Sequence, residues 1–555
     1  MAVRIPVASG AAALAIVLAL SGCSGSGAPA ANIITASWSE PTSPLTPAET
    51  VDFGGARVID NIFAGLVAYT ADGTVVNDVA DSIEIAAKPA KPAKSHKADK
   101  GQVYTVTLRD GLTFTDGEKV DAESFVSAWD WAADSANKTP YQSSFAGIVG
   151  YVADDPTTPD IERGSLVESG GLVVLDSRTF AVHLTSPLSD FSQRLGQRAY
   201  FPLPASFFDD PASFAEKPIG NGPYMIDESG TWEHGERLDL VVNPTYTGPR
   251  LPLNDGVSLR VYKSLDTAYG DLFAGFLDLL DTLPASALPT YHDELGSGAI
   301  DQPGSTLWSI TIPTQVPHFT GPEGALRRAA ISMVIDRQGI ADQVLGGQRT
   351  PAQDFSAPVV ENYDTRLSGS EVLDFNTVAA KQKWAAAEAL STWGDSTFEI
   401  AYASDGDDGE WVAAVASSIS RELGIDAVGI AYSTSTELDA AIADHSIATA
   451  FRTVQRATYP GVLSFLDGPY TSKAASNVSG YSNKDFDFRL KGALAATNVA
   501  DFHRAATAAQ VLLLSDLPAI PLWNSTQRAG TAEGIDGAAL DWNGVPQYFQ
   551  ITKRR

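Results

Sequence analysis

Apolar positions along this chain recur with two different periods. Val103-Tyr104-Thr105-Val106-Thr107-Leu108 alternates in the two-residue rhythm of a strand with one buried face. Similar runs predict strands at 33–36, 81–85, 172–175, 179–184, 398–401 and 426–432, with Asp176-Ser177 as a turn between two of them. Asp121 stands where an N-cap belongs, ahead of a helix over 122–133 with Glu123 in its first turn. Further helices are predicted at 324–334, at 381–390 and at 411–423, the last stopped by Gly424. In the 324–337 stretch Ala329, Ala330, Ile331, Val334 and Ile335 form one apolar face, which leaves Arg327, Arg328 and Arg337 outside. Asp116-Gly117 reads as a turn between strand and helix. Gly220-Asn221-Gly222-Pro223 reads as a tight turn in which the glycines permit positive φ and Pro223 stiffens the exit. Strands and helices interleave without a short repeat, the pattern of an α/β protein.

Two stretches break this alternation. Residues 86–100 are Ala/Lys/Pro-rich and cationic, and they read as an extended surface loop between two strands. At the start, Arg4 precedes an apolar run from Val7 to Leu20 that is too short to span a bilayer comfortably. It ends in Leu20-Ser21-Gly22-Cys23, and Cys23 is the only cysteine of the 555 residues. A lone cysteine makes no intramolecular disulfide and no CxxC site. The segment resembles a bacterial lipoprotein signal. That resemblance implies cleavage before Cys23, diacylglycerol on its sulfur, and a soluble body held outside the cytoplasmic membrane by the Gly/Ser/Ala/Pro-rich tether 24–31. Acyl chains partition into a bilayer with ~0.8 kcal/mol per buried CH₂, so a multiply acylated Cys23 is a durable anchor. Later in the chain the best apolar run, Val511 to Leu514, breaks at Ser515 and Asp516, so no second membrane segment is expected.

The net charge of −29 repels phosphate backbones and anionic headgroups, which argues against nucleic acid as a partner. No GxSxG elbow, HExxH or GxxxxGK[ST] loop occurs, and the seven histidines are scattered with no pair at metal-ligand spacing. Neither a catalytic residue, a metal site nor a cofactor is therefore expected, and the chain does not read as an enzyme.

Four blocks in fixed order carry a resemblance. They are Ile62-Phe63-Ala64-Gly65-Leu66-Val67 with Asp72-Gly73 and Asp78-Val79-Ala80-Asp81-Ser82; Leu108 to Gly117 continuing through Val126; Pro218-Ile219-Gly220-Asn221-Gly222-Pro223-Tyr224; and Leu326 to Arg337 followed by Gly347 and Pro351-Ala352. Together, from about Asn32 to Leu522, they resemble the family 5 extracellular solute-binding proteins, the oligopeptide, dipeptide and nickel receptors of ABC importers. The resemblance implies an α/β, two-lobed periplasmic-binding-protein fold of type II with an extra inserted domain, three domains in all. On that expectation residues 1–22 are the signal and 23–31 anchor and tether. Lobe I comprises 32–70, 186–300 and 521–555, the inserted domain 71–185, and lobe II 301–520.

The resemblance also places a ligand cleft. Glu40, after the opening strand, is a candidate partner for a ligand amine, against the alternative of a surface carboxylate. Tyr141, in Pro140-Tyr141, is a candidate contact or a core ring. Peptide-binding relatives often carry a Trp-x-Ala-Asp-Tyr-Pro-like loop whose Asp pairs with the peptide ammonium. The matching stretch here is Gln455-Arg456-Ala457-Thr458-Tyr459-Pro460. Gln455 stands for the Trp and Thr458 for the Asp, so the usual anchor is missing, and a Thr hydroxyl does not replace its charge. Arg456 offers instead a planar fork suited to a carboxylate or phosphate. Gln455, Arg456, Thr458 and Tyr459 complete the candidate ligand-binding set.

The function implied is capture of a peptide by a monomeric, lipid-anchored receptor and its delivery to an ABC permease driven by separate ATPase subunits. Alternatives are a receptor for a nickel complex, opine, anionic or sugar-derived solute, a signalling or chaperoning use of the same fold, and a secreted lipid-anchored hydrolase.

Overall fold

Wherever the apolar rhythm predicts an element, one forms. The Val103–Leu108 strand buries its alternate side chains, and helix Ala122–Ala133 starts where Asp121 caps it. Asp121 accepts the Ser124 N–H at 3.1 Å while Ser124 Oγ accepts the Asp121 N–H at 3.2 Å, a reciprocal box that satisfies two orphan donors of the first turn. Helix Asp408–Leu423 ends at Gly424, which takes the left-handed conformation that a glycine adopts at least cost. This computed structural model describes residues 32–85, 101–153, 164–227, 232–361, 363 and 366–554. The leader with Cys23 and the 86–100 stretch lie outside them.

An eleven-stranded sheet runs through the molecule. From one edge its order is Asp426–Tyr432, Thr397–Ala403, Ala450–Arg456, Ala299–Thr311, Ala519–Thr531, Leu279–Leu280, Ile33–Trp38, Gly256–Val261, Arg237–Val242 and Tyr224–Ile226, with Arg349–Pro351 added beside Ala519–Thr531. At its centre the two longest strands, Ala299–Thr311 and Ala519–Thr531, pair antiparallel along most of their length. One end of this pair, Ala299 to Gln302 against Gln527 to Gly530, adjoins Leu279–Leu280 and leads to Ile33–Trp38. The other end, Leu307 to Thr311 against Ala519 to Asn524, adjoins Ala450–Arg456. Between them the register slips at Pro303-Gly304-Ser305-Thr306, where Pro lacks a ladder donor and the extra residues bend the strand. The boundaries expected at 300/301 and 520/521 fall inside these two strands.

A second sheet of four antiparallel strands, Ala80–Ile85, Val103–Leu108, Thr179–His183 and Leu172–Asp176, lies against helix Ala122–Ala133. Its core is continuous with that of the strands from Ile33–Trp38 to Tyr224–Ile226: Ile34, Val58, Val106, Phe125, Trp129, Leu259 and Tyr548 belong to one apolar cluster. Trp129 donates from Nε1 to the Tyr200 carbonyl at 2.9 Å, tying that helix to the 198–201 segment. The other half of the large sheet has its own cores, one around Phe355, Phe465 and Leu513, another around Trp411, Trp523 and Ile331.

Two readings of the sequence are corrected. Arg327 and Arg337 are inside, not outside, with 0% and 3% exposure. Arg327 meets Glu323 at 2.8 Å and Glu388 at 3.0 Å, and its guanidinium lies 4.5 and 5.1 Å from the ring centres of Trp384 and Trp393. Among the described residues no carboxylate forms an ion pair with Arg337, although the Asp374 charge acts on it. It donates to the carbonyls of Pro521 (2.8 Å), Leu373 (2.6 Å) and Ser332 (3.0 Å) and to Ser332 Oγ (2.9 Å), so its charge is held by carbonyl dipoles from three segments. The second correction concerns Gly220 and Gly222, neither of which has positive φ. They are glycine because helix Phe53–Ile62 ends against them. A Cβ on Gly220 would sit 1.8 Å from the Ile62 carbonyl oxygen, and one on Gly222 2.6 Å from the Ile62 carbonyl carbon and the Phe63 nitrogen. Asn221 between them pairs with the Ala64 N–H (2.9 Å) and C=O (3.0 Å), like one more rung of backbone.

These contacts set a contrast that denaturation can read. Gly111 has φ of +76° but open space around a would-be Cβ, so Gly111→Ala is expected to cost about 1–2 kcal/mol for the left-handed backbone alone. Gly220→Ala must displace backbone and is expected to cost about 3 kcal/mol or more. Equal losses in denaturant midpoint would remove the close approach as the reason for Gly220.

Candidate functional site

Six segments converge on one cavity of about 610 Å³, within the ~300–1,000 Å³ range of sites for small ligands. They are the start of helix Phe53–Ile62, the strand Val67–Tyr69, the Pro140–Ser144 turn, residues 194–201, the loop leaving strand Ala450–Arg456, and the 541–549 stretch. Helix Phe53–Ile62 is fixed at the wall by Asp52, which accepts the Gly55 N–H at 2.9 Å and holds Thr42 and Ser43 with its other oxygen. Those hydrogen bonds keep the Asp52 carboxyl below its usual pKa against the opposing effect of burial.

Ion pairs stiffen the same wall. Arg198 grips Asp60 with two bonds of 2.7 Å, the planar fork-to-fork geometry available to a guanidinium and a carboxylate. Arg250 donates from Nε to Asp78 at 3.0 Å and from Nη2 to the Phe63 carbonyl at 2.9 Å. Both arginines thereby lock the end of helix Phe53–Ile62.

At one side the cavity is bridged by residues 189–194. Ser189 donates its N–H to the Leu494 carbonyl at 2.9 Å and its hydroxyl to the Ala493 carbonyl at 2.7 Å, and Gln193 Nε2 donates to Glu361 at 2.9 Å. Buried Asp190 accepts from Arg194 at 3.0 Å and from the Tyr459 hydroxyl, and Arg194 lies 5.0 Å from the centre of the Tyr459 ring. Burial and the Asp190 charge push the Tyr459 hydroxyl well above its ordinary pKa, so it remains a donor.

The structure brings four of the sequence candidates to this cavity: Tyr141, Arg456, Thr458 and Tyr459. Tyr141 lines the cavity, packs on the core and donates to the Thr50 carbonyl at 3.1 Å. Arg456 lies with its guanidinium 5.2 Å from the centre of the Phe53 ring and has no ion pair. Although Arg456 is exposed, the desolvation of its side chain against the wall lowers its pKa, and no carboxylate among the described residues offsets that. Thr458 is exposed and its N–H donates to Ser464 Oγ at 2.8 Å.

Glu40 and Gln455 are placed elsewhere. Glu40 accepts from the Gly235 N–H at 2.8 Å and meets His234 Nδ1 at 2.6 Å, so its carboxylate is engaged away from the cavity lining. Gln455 precedes Arg456 on a strand, and alternation turns it to the opposite face.

Asp541 was not singled out by sequence reasoning, and it is the most perturbed carboxyl on the cavity wall. Its Oδ1 accepts the N–H groups of Asn543 and Val545, both at 2.8 Å, in a turn closed by Gly544 at φ +92°. Burial, reinforced by the negative charge of Asp60, pushes its pKa up to about 7, against the smaller opposing pull of its hydrogen bonds and of Arg198. The Asp-x-Asn-Gly turn was visible in the sequence; that it forms a cavity wall was not. Among the described residues no group of three His, Cys, Asp or Glu could hold a metal ion, and no helix is long and apolar enough to cross a membrane.

A family model described as bacterial extracellular solute-binding proteins, family 5 Middle, matches residues 75–477. Among curated relatives, the probable deoxycholate-binding periplasmic protein YgiS of Escherichia coli is 26% identical, covering 86% of this chain and 85% of its own. The periplasmic murein peptide-binding protein MppA of the same organism is 25% identical, covering 88% and 86%. The unliganded open form of MppA superposes with a TM-score of 0.77 at 21% identity, over 95% of this chain and 99% of that one. The Haemophilus influenzae OppA complex with the peptide RPPGFSPFR gives 0.64 at 19% identity, over 95% and 99%. The two-lobed α/β fold of type II expected from the sequence is the fold of these neighbours.

The Asp541 environment makes stability depend on pH in a defined direction. Its folded pKa of about 7 lies above the unfolded value of about 3.9. Between the two the folded chain keeps a proton that the unfolded chain has lost, so stability falls as pH rises across that window and levels off above it. Asp541→Asn keeps an acceptor for both N–H groups and carries no charge. It is expected to be more stable than the parent near pH 8, by about 1.4 kcal/mol for each pKa unit removed, with the gain vanishing towards about pH 4. A difference in melting temperature that does not change with pH would contradict this.

Proposed function

This chain belongs to the bacterial extracellular solute-binding proteins, family 5, and on that footing we propose that it captures peptides in the cavity and delivers them to the permease of an ABC importer. One observation carries the reading. Of the charged side chains described on the cavity wall, Asp60, Arg194, Arg198 and Arg250 have counter-ions and Asp52 caps a helix. Asp541 and Arg456 are left, one carboxylate and one guanidinium, neither in an ion pair. That is the charge complement of a zwitterion, and a peptide is one. Relatives described as binding murein peptide and, in a crystal complex, the peptide RPPGFSPFR support the same class of ligand. Rings of Phe53, Tyr69, Tyr141 and Trp542 offer side-chain contact that does not demand one sequence.

Delivery follows from the central strand pair. Rotation of one lobe about the slip at Pro303 to Thr306 closes the cavity over the ligand, and the closed face is what a permease reads. The receptor works at the outer face of the cytoplasmic membrane, anchored by acylated Cys23, and performs no chemistry on what it binds. Import is driven by separate ATPase subunits.

A second reading is favoured by the unpaired Arg456 and by the relative described as deoxycholate-binding: an anionic, non-peptide solute in the same cavity. Native mass spectrometry of gently purified protein decides between them. A ladder of peptide masses is the expected result; a single defined non-peptide mass would overturn the peptide reading. Once a ligand is in hand, Arg456→Ala is expected to weaken it at least about tenfold, the scale of one charge-assisted hydrogen bond; unchanged affinity would take Arg456 out of the site. Cys23→Ser is expected to move the protein from the membrane to the soluble fraction of the cell, and retention in the membrane fraction would refute the anchor.

A further inference from the structure

Asp541 sits in a built position. The turn from Leu540 to Pro546 is closed by a bridge between its ends and fixed to the central strands: Gln302 Oε1 accepts the Leu540 N–H at 2.7 Å, and Asn543 Oδ1 accepts from Ser305 Oγ at 3.0 Å. Trp542 packs edge-on against Tyr69 with centres 5.6 Å apart, and Gln547 Nε2 donates to the Tyr69 carbonyl at 3.3 Å. The carboxylate therefore cannot swing away. Its Oδ1 is occupied by two backbone N–H groups, and Oδ2 receives no hydrogen bond from the described residues.

The titratable and charged groups around it are few. Asp60 on helix Phe53–Ile62 adds like charge, Arg198 from the 198–200 turn is spent on Asp60, and Tyr69 is a buried phenol pushed well above its ordinary pKa. Among the described residues no cation is bonded to Oδ2; Arg456, the unpaired guanidinium of the same wall, lies against Phe53 instead. A carboxylate in this setting is poorly solvated and repelled by its neighbour, so what it lacks is a small cation with several donors. A primary ammonium, with three N–H donors on one centre, meets that need, while a neutral amide or a second carboxylate does not.

We propose that Asp541 is the ammonium anchor of the receptor, taking the ligand's free α-amine on Oδ2, and that capture of the amine is coupled to loss of a proton from this carboxyl. The proposal rests on the peptide reading above. Its second half is linkage: the anchor must be ionised to hold the ammonium, so on the acid side each ligand bound drives one proton into solution. A free α-amine itself titrates at about 7.7–8.0, so on the alkaline side the sign reverses and binding takes a proton up. Affinity is then greatest in a narrow window around neutrality and falls about tenfold per pH unit on either side. Because the turn is bonded to Gln302 and Ser305, at the slip in the central strands, the amine is held beside the hinge that has to move.

The test uses the full-length mature protein and a pooled library of short peptides, with the same library acetylated at its α-amines. Retained peptides are read by mass spectrometry. The best retained sequence is then titrated calorimetrically in buffers of different ionisation enthalpy, near pH 6 and near pH 9, on either side of the two pKa values. The expected outcome is retention of free-amine peptides only, release of about one proton near pH 6 and uptake of about one near pH 9. Asp541→Asn is expected to weaken the free-amine peptide at least about tenfold and to abolish the proton release near the acid limit while leaving the uptake at the alkaline one. Asp541→Glu is a second variant that keeps the charge, and it is expected to restore part of the preference. Equal retention of both libraries, or proton release that persists in Asp541→Asn, would overturn the assignment while leaving the peptide reading intact. Retention of neither library would overturn both.

Discussion

The pairing of Ala299–Thr311 with Ala519–Thr531 is the constraint on which the rest of the molecule hangs. Among the described residues this pair alone joins both halves of the large sheet, through a backbone ladder that runs on either side of the slip at Pro303 to Thr306. Each end of the pair recruits its own strands and its own cores, which share one hydrogen-bonded spine. Backbone pairing suits this task better than side-chain packing does. A ladder bends at a bulge with its remaining rungs intact, whereas a close-packed core resists any small shear. The bend is concentrated at Pro303 to Thr306, the stretch beside which the Asp541 turn is bonded.

Around that spine the cavity is made rigid on one side and open on another. Arg198 and Arg250 pin the end of helix Phe53–Ile62, and the glycines at 220 and 222 allow the chain to press against the same helix end. Ser189, Asp190 and Gln193 reach across through polar bonds to Leu494, Tyr459 and Glu361, beside the core around Phe355 and Phe465. The more exposed of these bonds are individually worth about 1 kcal/mol net, whereas the one from buried Tyr459 to buried Asp190 is stronger because its acceptor is charged. The strongly acidic surface adds a long-range term that favours approach of cations and is screened beyond about 10 Å at moderate salt.

How much of this was legible in the sequence depends on whether the deciding interaction was local. Strand Val103–Leu108 and helix Ala122–Ala133 are set by alternation and by a cap within three residues, and both were readable. Arg327 and Arg337 were assigned to the surface because periodicity counts arginine as polar. Their partners are Glu388, Pro521 and Leu373, far along the chain, and only the folded backbone brings those acceptors together. Gly220 and Gly222 illustrate the same limit: a glycine needed for positive φ and one needed for close approach look alike in a sequence. On the cavity wall, Arg456, Thr458 and Tyr459 were legible because they fall in the one stretch that resembles a ligand-binding loop of the family. Glu40 was drawn away by His234 and Gly235, a pairing across nearly two hundred residues. Asp541 was missed because its turn becomes a cavity wall only through bonds to Gln302 and Ser305.

The order of strands in the sheet also sets a schedule for biosynthesis. Ile33–Trp38, made first, pairs only with Gly256–Val261 and Leu279–Leu280, and Leu279–Leu280 in turn needs the far end of Ala519–Thr531. The spine strand Ala299–Thr311 can pair earlier with Ala450–Arg456 through residues 306–311, but its 299–303 end waits for that same last long strand. A nascent chain can assemble local pieces such as Val103–Leu108 with its neighbours, but the large sheet cannot close until the ribosome has nearly finished. Such late, non-local closure makes folding slow, and the architecture of the large sheet is committed only after nearly all of the chain has been made.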